Sequence, residues 1–505
     1  MTEGASPGSL LLKTAHGTGW IVGWRMATRI LGVISTLTLV RLLVPTDFGL
    51  VALGTSFAQS IETFSVLGVE DAVVREKNPT RDVYDTGFTV NALRSVATAL
   101  VIAALAVPAG RFFAEPRVVN ILAALAVATL LDGFANIGIV DFRREFAFSK
   151  EFQLFILPRV IGILLALATA FAWHTYWALV VGILAGRILR VIFSYQMHPY
   201  RPRFTVRAWR RLIGYSTWTW AINVVGLVRD RCDTMLIGRM LDPTRLGIYS
   251  VGAEVAALPT TELVEPLCRA AFSGFAAARN ANLTPGDTYL RIVGTMALLT
   301  LPAAVGISLI ADPLVKLAFG ALWADAAPLV QVLALAAMST LFGLISATLF
   351  STHALLREIF AITVSMLIVR AGLLIFLIAR LGLYGAAIAT ALAISIQQGV
   401  YVVLTLRYFA LRAADLLRYT WRSLLATAVM AAVLLRTGYG WQTVEGGAGV
   451  LALHLSVAIG LGALVYAVVL LAAWFAAGRP EGAETDFLAL AGRVGGRFAR
   501  LPWRR

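Results

Sequence analysis

The sequence predicts an all-α polytopic membrane protein of about fourteen helices, arranged as two pseudo-symmetric six-helix lobes plus an extra helix pair. Three observations carry this. Hydrophobic residues make up 59% of the 505-residue chain and charged ones only 14%, with mean hydropathy +0.80, and no water-soluble domain needs so much apolar surface. That surface comes in runs of about 20 residues, the length a helix needs to cross a bilayer. A stretch of the first half also returns in the second, as two copies of one bundle would require.

The repeated stretch is Arg41-Leu-Leu-Val-Pro-Thr-Asp-Phe-Gly-Leu-Val-Ala-Leu-Gly54, which recurs 198 residues later as Arg239-Met-Leu-Asp-Pro-Thr-Arg-Leu-Gly-Ile-Tyr-Ser-Val-Gly252. Each copy lies between two apolar runs. Pro45 and Pro243 cannot continue a helix, and Gly49 and Gly247 are expected to let the chain turn and re-enter. The stretch therefore reads as a helix-to-helix corner used twice. The echo continues downstream: Leu93-Arg94, Val96 and Thr98 match Leu290-Arg291, Val293 and Thr295, and Ala114-Glu115-Pro116 matches Ala311-Asp312-Pro313. Beyond Pro116 and Pro313 it fades.

In chain order, residues 1–16 form a short cytoplasmic segment, and the run behind it lacks a small-residue cleavage site, so an uncleaved first span is expected. The first lobe, 17–199, holds spans at Trp20 to Val40, Phe48 to Val69, Phe88 to Val107, Val118 to Val140, Phe152 to Trp173 and Tyr176 to Met197. A basic cytoplasmic linker, 200–212, carries Arg201, Arg203, Arg207, Arg210 and Arg211. The second lobe, 213–410, holds spans at Ile213 to Ile237, Leu246 to Phe272, Tyr289 to Ile310, Ala326 to Phe350, Ile359 to Ile378 and Gly382 to Leu406. Residues 411–478 add Tyr419 to Leu435 and Val450 to Phe475. In the tail, 479–505, Phe487, Leu490, Val494, Phe498 and Leu501 are set at helical spacing against Arg493, Arg497, Arg500 and Arg504. That is the pattern of a helix lying on anionic membrane lipids.

Orientation follows from Lys and Arg in short loops. Loops after even-numbered spans hold Arg75, Lys77, Arg81, Arg143, Arg144, Lys150 and the arginine linker, whereas loops after odd-numbered spans hold few. Both termini are therefore expected in the cytoplasm. The net charge of +15 is mostly this topology pattern and gives no reason to expect a nucleic-acid partner. Cys232 and Cys268 sit singly in apolar segments and read as packing residues. His353 and His454 have no companions at metal-ligand spacing, and no phosphate-cradling glycine loop or nucleophile elbow is present. No cofactor, metal or enzymatic activity is expected.

The chemistry lies in ionisable groups inside the spans, which are costly in lipid and belong in a bundle interior or a wet cavity. Arg25 and Arg29 share a face of the first span, Arg159 is in the fifth, and Arg187 and Arg190, three apart, share a face of the sixth. Acids are fewer: Glu62 in the second span, Asp132 in the fourth, and Glu254, Glu262 and Glu265 in the eighth, which leaves the interior of the first half net cationic. Arginine keeps its proton and forks onto phosphate, so an arginine-rich vestibule suits an anionic, phosphate-bearing ligand. Each arginine also has a bland reading, as a snorkelling end residue or an ion-pair partner, for example Arg25 or Arg29 with Glu62. Glu62 and Asp132 read either as proton-coupling carboxylates or as fixed ion-pair partners.

Trp24-Arg25, the corner from Arg41 to Gly54, Glu62, Phe64 and Leu67-Gly68-Val69 resemble the opening of the polysaccharide and O-antigen flippases of the multidrug/oligosaccharidyl-lipid/polysaccharide exporter superfamily. The resemblance implies a bacterial inner-membrane protein that moves an undecaprenyl-diphosphate-linked oligosaccharide between leaflets by alternating access, for lipopolysaccharide, exopolysaccharide or capsule synthesis, with a polysaccharide polymerase as a possible partner. Three alternatives stay open: a lipid II flippase, which would share the fold and the cationic first lobe; a cation-coupled multidrug exporter, which would be expected to carry acids in its first helix; and a non-transporting scaffold of a synthesis complex, which would not need intramembrane arginines.

Overall fold

The computed structural model describes residues 28, 31–65, 69–76, 79–145, 147–209, 217–280, 284–479 and 485. Helices dominate these residues, and no strand occurs among them. The chain divides into two compact units, Met1–Gly247 and Ile248–Arg505.

In the first unit α1 (Leu31–Leu42) leads through Val44 into α2 (Pro45–Phe64). The short α3 (Val69–Arg75) precedes α4 (Arg81–Phe112) and α5 (Arg117–Asp132). The fourth span, expected to run unbroken from Val118 to Val140, instead breaks after Asp132 and bends by 72° into the turns Ile137–Arg144. Asn136 causes the break: its carbonyl caps Gly138 N at 2.9 Å, and its amide donates to the carbonyls of His198 and Tyr200. The closing turn is α6 (Asp141–Arg144). The unit continues with α7 (Phe148–Trp173), α8 (Trp177–Met197) and α9 (Thr217–Met240). The last packs on α2.

The corner behaves differently from the expectation. Pro45 and Pro243 do punctuate the chain, opening α2 and α10 (Pro243–Ala256), positions where a missing N–H costs nothing. Gly49 and Gly247, however, do not make the turn. They lie one helical turn inside α2 and α10, where the two copies of the corner meet. A Cβ on Gly49 would sit 1.7 Å from the Pro243 carbonyl oxygen, and one on Gly247 1.8 Å from that of Pro45. Glycine is needed there so that two backbones can touch, not for a special φ. Thr46 and Thr244 share a hydroxyl–hydroxyl hydrogen bond of 2.7 Å across the same contact. The first helix start is held by Asp47, which accepts from Val44 N and from Tyr176 N of the α7–α8 loop. In the second copy the acid has moved to Asp242, which accepts from Arg245 N.

In the second unit α11 (Glu265–Asn280) follows a wide π turn at Thr260–Val264. Then come α12 (Pro285–Leu309), α13 (Ala311–Phe319), α14 (Ala327–Thr352) and α15 (Leu356–Tyr408). At 53 residues α15 is twice a bilayer in length. It carries the two expected spans joined at Gly382, whose φ of 58° breaks the helix where the sequence places the boundary. Helices α16 (Ala413–Arg436) and α17 (Ala448–Ala476) form the added pair. Their loop is pinned by Asp312, which accepts from Val444 N at 2.8 Å and is neutralised by Lys316.

Seven described helices are long and apolar enough to cross a membrane, or eight if the bent fourth span counts as one. The remaining expected spans are shorter, more polar or partly outside the described residues. The tail from Phe487 is wholly outside them.

Candidate substrate-binding site

A cavity of about 370 Å³ opens between α1, α7 and α8 of the first unit. Its shape begins with small residues. Gly162 and Ala166 on α7 face Gly182 and Gly186 on α8, and a Cβ on Gly162 would lie 2.9 Å from the Gly182 carbonyl oxygen. Two helices can cross this closely only where the facing residues carry no side chain larger than a methyl group. Gly182-Ile-Leu-Ala-Gly186 is a small-residue motif that was visible in the sequence, and its spacing could have located this crossing.

From there the walls divide. Leu39, Leu154, Ile163, Ala166, Leu179 and Ile183 make the cavity mostly apolar, while Arg159, Arg187 and Arg190 supply its charge. The structure thus brings together three of the five arginines singled out from sequence. Arg25 and Arg29 lie outside the described residues. The run that carries them continues into α1, whose Ser35 and Leu39 line the cavity.

The three arginines are not equivalent. Arg187 forks onto Glu62, with Nη1 2.8 Å from Oε1 and Nη2 3.4 Å from Oε2. It also donates to the Thr129 hydroxyl at 3.2 Å, and that hydroxyl donates in turn to Glu62. Bidentate geometry makes this the strongest pair in the site. Arg190, one turn on, holds Asp132 at 3.5 Å and stacks over the Phe155 ring at 5.0 Å. Its Nε is buried without a hydrogen-bond partner among the described residues. Arg159 has no acid partner among the described residues, and its Nη2 lies 3.3 Å from where a Cβ on Gly32 would be. It therefore rests on α1 at the one position where that helix offers no side chain.

Glu62 pairs with Arg187 and Thr129; the alternative pairing of Glu62 with Arg25 or Arg29 falls on residues outside the described ones. Thr129 and Phe155 were not foreseen; neither is distinctive in an apolar run. The charged stretch Arg229-Asp230-Arg231 of α9 reaches α2 as well, since Arg231 donates to Gln59 while Arg229 pairs with Asp230. Among the described residues three guanidinium groups stand against two carboxylates, so the cavity offers an anion one uncompensated fork and one loosely held one, beside an apolar wall.

Long apolar helices, broken and crossing at small residues, define a multi-pass helical membrane protein. The chain superposes on a lipid II flippase, MurJ, in its inward closed conformation with TM-score 0.73 at 14% identity, covering 91% of this chain and 100% of that one. A multidrug resistance MATE family transporter in its inward-facing conformation gives TM-score 0.61, also at 14% identity, over 75% and 94%. A family model described as polysaccharide biosynthesis protein matches residues 38–328, more than half the chain, and the protein belongs to that family. Among curated relatives, the succinoglycan biosynthesis transport protein ExoT of Rhizobium meliloti (strain 1021) is 21% identical over 63% of this chain. The lipopolysaccharide biosynthesis protein WzxC of Escherichia coli (strain K12) is 20% identical over 64%. The chain spans 65% and 67% of their respective lengths.

Proposed function

We propose that the protein flips an undecaprenyl-diphosphate-linked oligosaccharide across the bacterial inner membrane for polysaccharide synthesis, by alternating access. The observation that carries this reading is the cavity itself: an arginine with no acid partner among the described residues, a second held loosely, and an apolar wall beside them. A diphosphate spreads its charge over several oxygens and accepts bidentate forks, and a polyprenyl chain needs an apolar path. A cationic drug would meet the opposite electrostatics. The family and the biosynthetic roles for which ExoT and WzxC are named support the same substrate class. Arg159 is the first anion contact in this reading, with Arg190 and Arg187 behind it and Arg25 and Arg29 completing the set. Glu62 and Asp132 hold the inner two guanidinium groups in place. No enzymatic step is needed. Both termini face the cytoplasm, and the corners at Pro45 and Pro243 face the periplasm.

The test is flipping of an undecaprenyl-diphosphate-linked sugar in proteoliposomes. Arg159→Lys keeps the charge but loses the fork and should retain partial activity; Arg159→Ala should lose at least about tenfold, with insertion unchanged. Wild-type flipping by Arg159→Ala, and again by the Arg25→Ala, Arg29→Ala double variant, would remove these arginines from the substrate path.

A further inference from the structure

After α8 ends at Met197 the chain does not leave the protein. Residues 198–206 run extended along the first turns of α4, fastened by side chains of that helix. Asp85 accepts from Arg203 N at 2.7 Å and from the Tyr200 hydroxyl at 2.6 Å. The Thr89 hydroxyl accepts from Thr205 N at 2.9 Å and that of Thr86 from Ala208 N at 3.1 Å. Pro202, Thr205 and Ala208 turn inward at every third position, while Arg201, Arg203, Phe204, Val206, Arg207 and Trp209 are exposed.

The Phe204 ring touches that of Phe88 on α4, 5.4 Å between centroids, but two features of this strap are left largely uncovered by the described residues. Phe204, Val206 and Trp209 are 69%, 58% and 53% exposed, a costly display for three large apolar groups in water. The Arg203 and Arg207 guanidinium groups have no ion pair among the described residues, because Asp85, the acid the strap lies against, is 4% exposed and occupied by Arg203 N, Tyr200 and Arg81. Position says what covers them. Asp85, Thr86 and Thr89 lie about 6–12 Å along α4 from its start, so the strap sits where two apolar helices, α4 and α8, begin and end. Aromatic side chains interleaved with arginines at the end of a span are what a headgroup layer takes up: rings at the ester level, guanidinium groups on phosphates.

We infer that residues 201–209 form an interfacial strap that binds the phosphate groups of anionic phospholipids through Arg203 and Arg207, with Phe204, Val206 and Trp209 seated among the upper acyl chains. This site is separate from the cavity, and its failure would leave the substrate reading untouched.

The full-length protein, with Cys232→Ala and Cys268→Ala, would carry a nitroxide at Val206→Cys in vesicles of phosphatidylcholine with or without phosphatidylglycerol. Spin-label accessibility should place position 206 at the headgroup level, deeper with phosphatidylglycerol. By native mass spectrometry, Arg203→Gln, Arg207→Gln should lower phosphatidylglycerol retention at least about threefold without changing phosphatidylcholine retention or the melting temperature. These substitutions leave the backbone bonds to Asp85 and Thr89 in place. A label as water-accessible in phosphatidylglycerol vesicles as a free peptide, or unchanged lipid retention, would overturn the proposal. So would protection of the label only on adding an acidic protein.

Discussion

Arg187 and Glu62 are joined by two hydrogen bonds across 125 residues of sequence, and removing one partner strands the other. Arg187→Ala or Glu62→Ala should each cost about 1.5–3 kcal/mol, read as a lower melting temperature in detergent. The exchange Glu62→Arg with Arg187→Glu should recover most of that stability, whereas flipping should stay impaired, because the cation has moved out of the cavity. Recovery of flipping along with stability would make the pair purely structural. His198, just beyond the end of α8, gives a pH prediction. Burial holds its pKa below the ordinary 6.5, outweighing the opposing pull of Asp141 and Glu145. The unfolded chain therefore takes up the proton first, so His198 contributes stability above about pH 6.5 that is lost as pH falls. The melting temperature should drop between pH 7.5 and 5.5, and His198→Gln should flatten that drop; an unchanged slope would assign it to other groups.

Among the elements, the paired corner helices make the sharpest demand. Alanine in place of a mid-helix glycine ordinarily gains about 0.5–1 kcal/mol. At Gly49 or Gly247 it should instead cost at least about 1–3 kcal/mol, since the new methyl meets a backbone carbonyl that cannot rotate away. Gly306→Ala, with nothing within 4 Å of the added carbon, is the control and should be neutral or stabilising in the same thermal assay. Equal outcomes at Gly49 and Gly306 would mean the crossing opens at little cost. The helices themselves were legible because apolar runs announce their length, and Gly382 announced the division of α15. The break at Asn136 was not, because a capping side chain acts through partners at His198 and Tyr200 that only the fold supplies. Likewise Arg159, Arg187 and Arg190 could be picked out as costly charges, but which carboxylate each would meet depends on helix neighbours that periodicity does not name.

For the whole molecule, the meeting of Thr46 and Thr244 is one end of a proposed movement. In a background lacking Cys232 and Cys268, Thr46→Cys with Thr244→Cys should form a disulfide under mild oxidation and stop flipping until reduced. Crosslinked protein that still flips would show that the contact never opens during transport. Reporter fusions after Thr46 and after Arg201 should read periplasm and cytoplasm; the reverse would invert the orientation and with it the direction of flipping. The corner contact also bears on how the two halves have diverged. Gly49 closes on Pro243 and Gly247 on Pro45, so each copy is the mould in which the other is cast. Most of a duplicated sequence drifts freely once its halves take on different neighbours, but here a change in one copy is tolerated only if the other still fits it. The stretch that best preserves the memory of the duplication is therefore one where, among the described residues, the duplicates still meet.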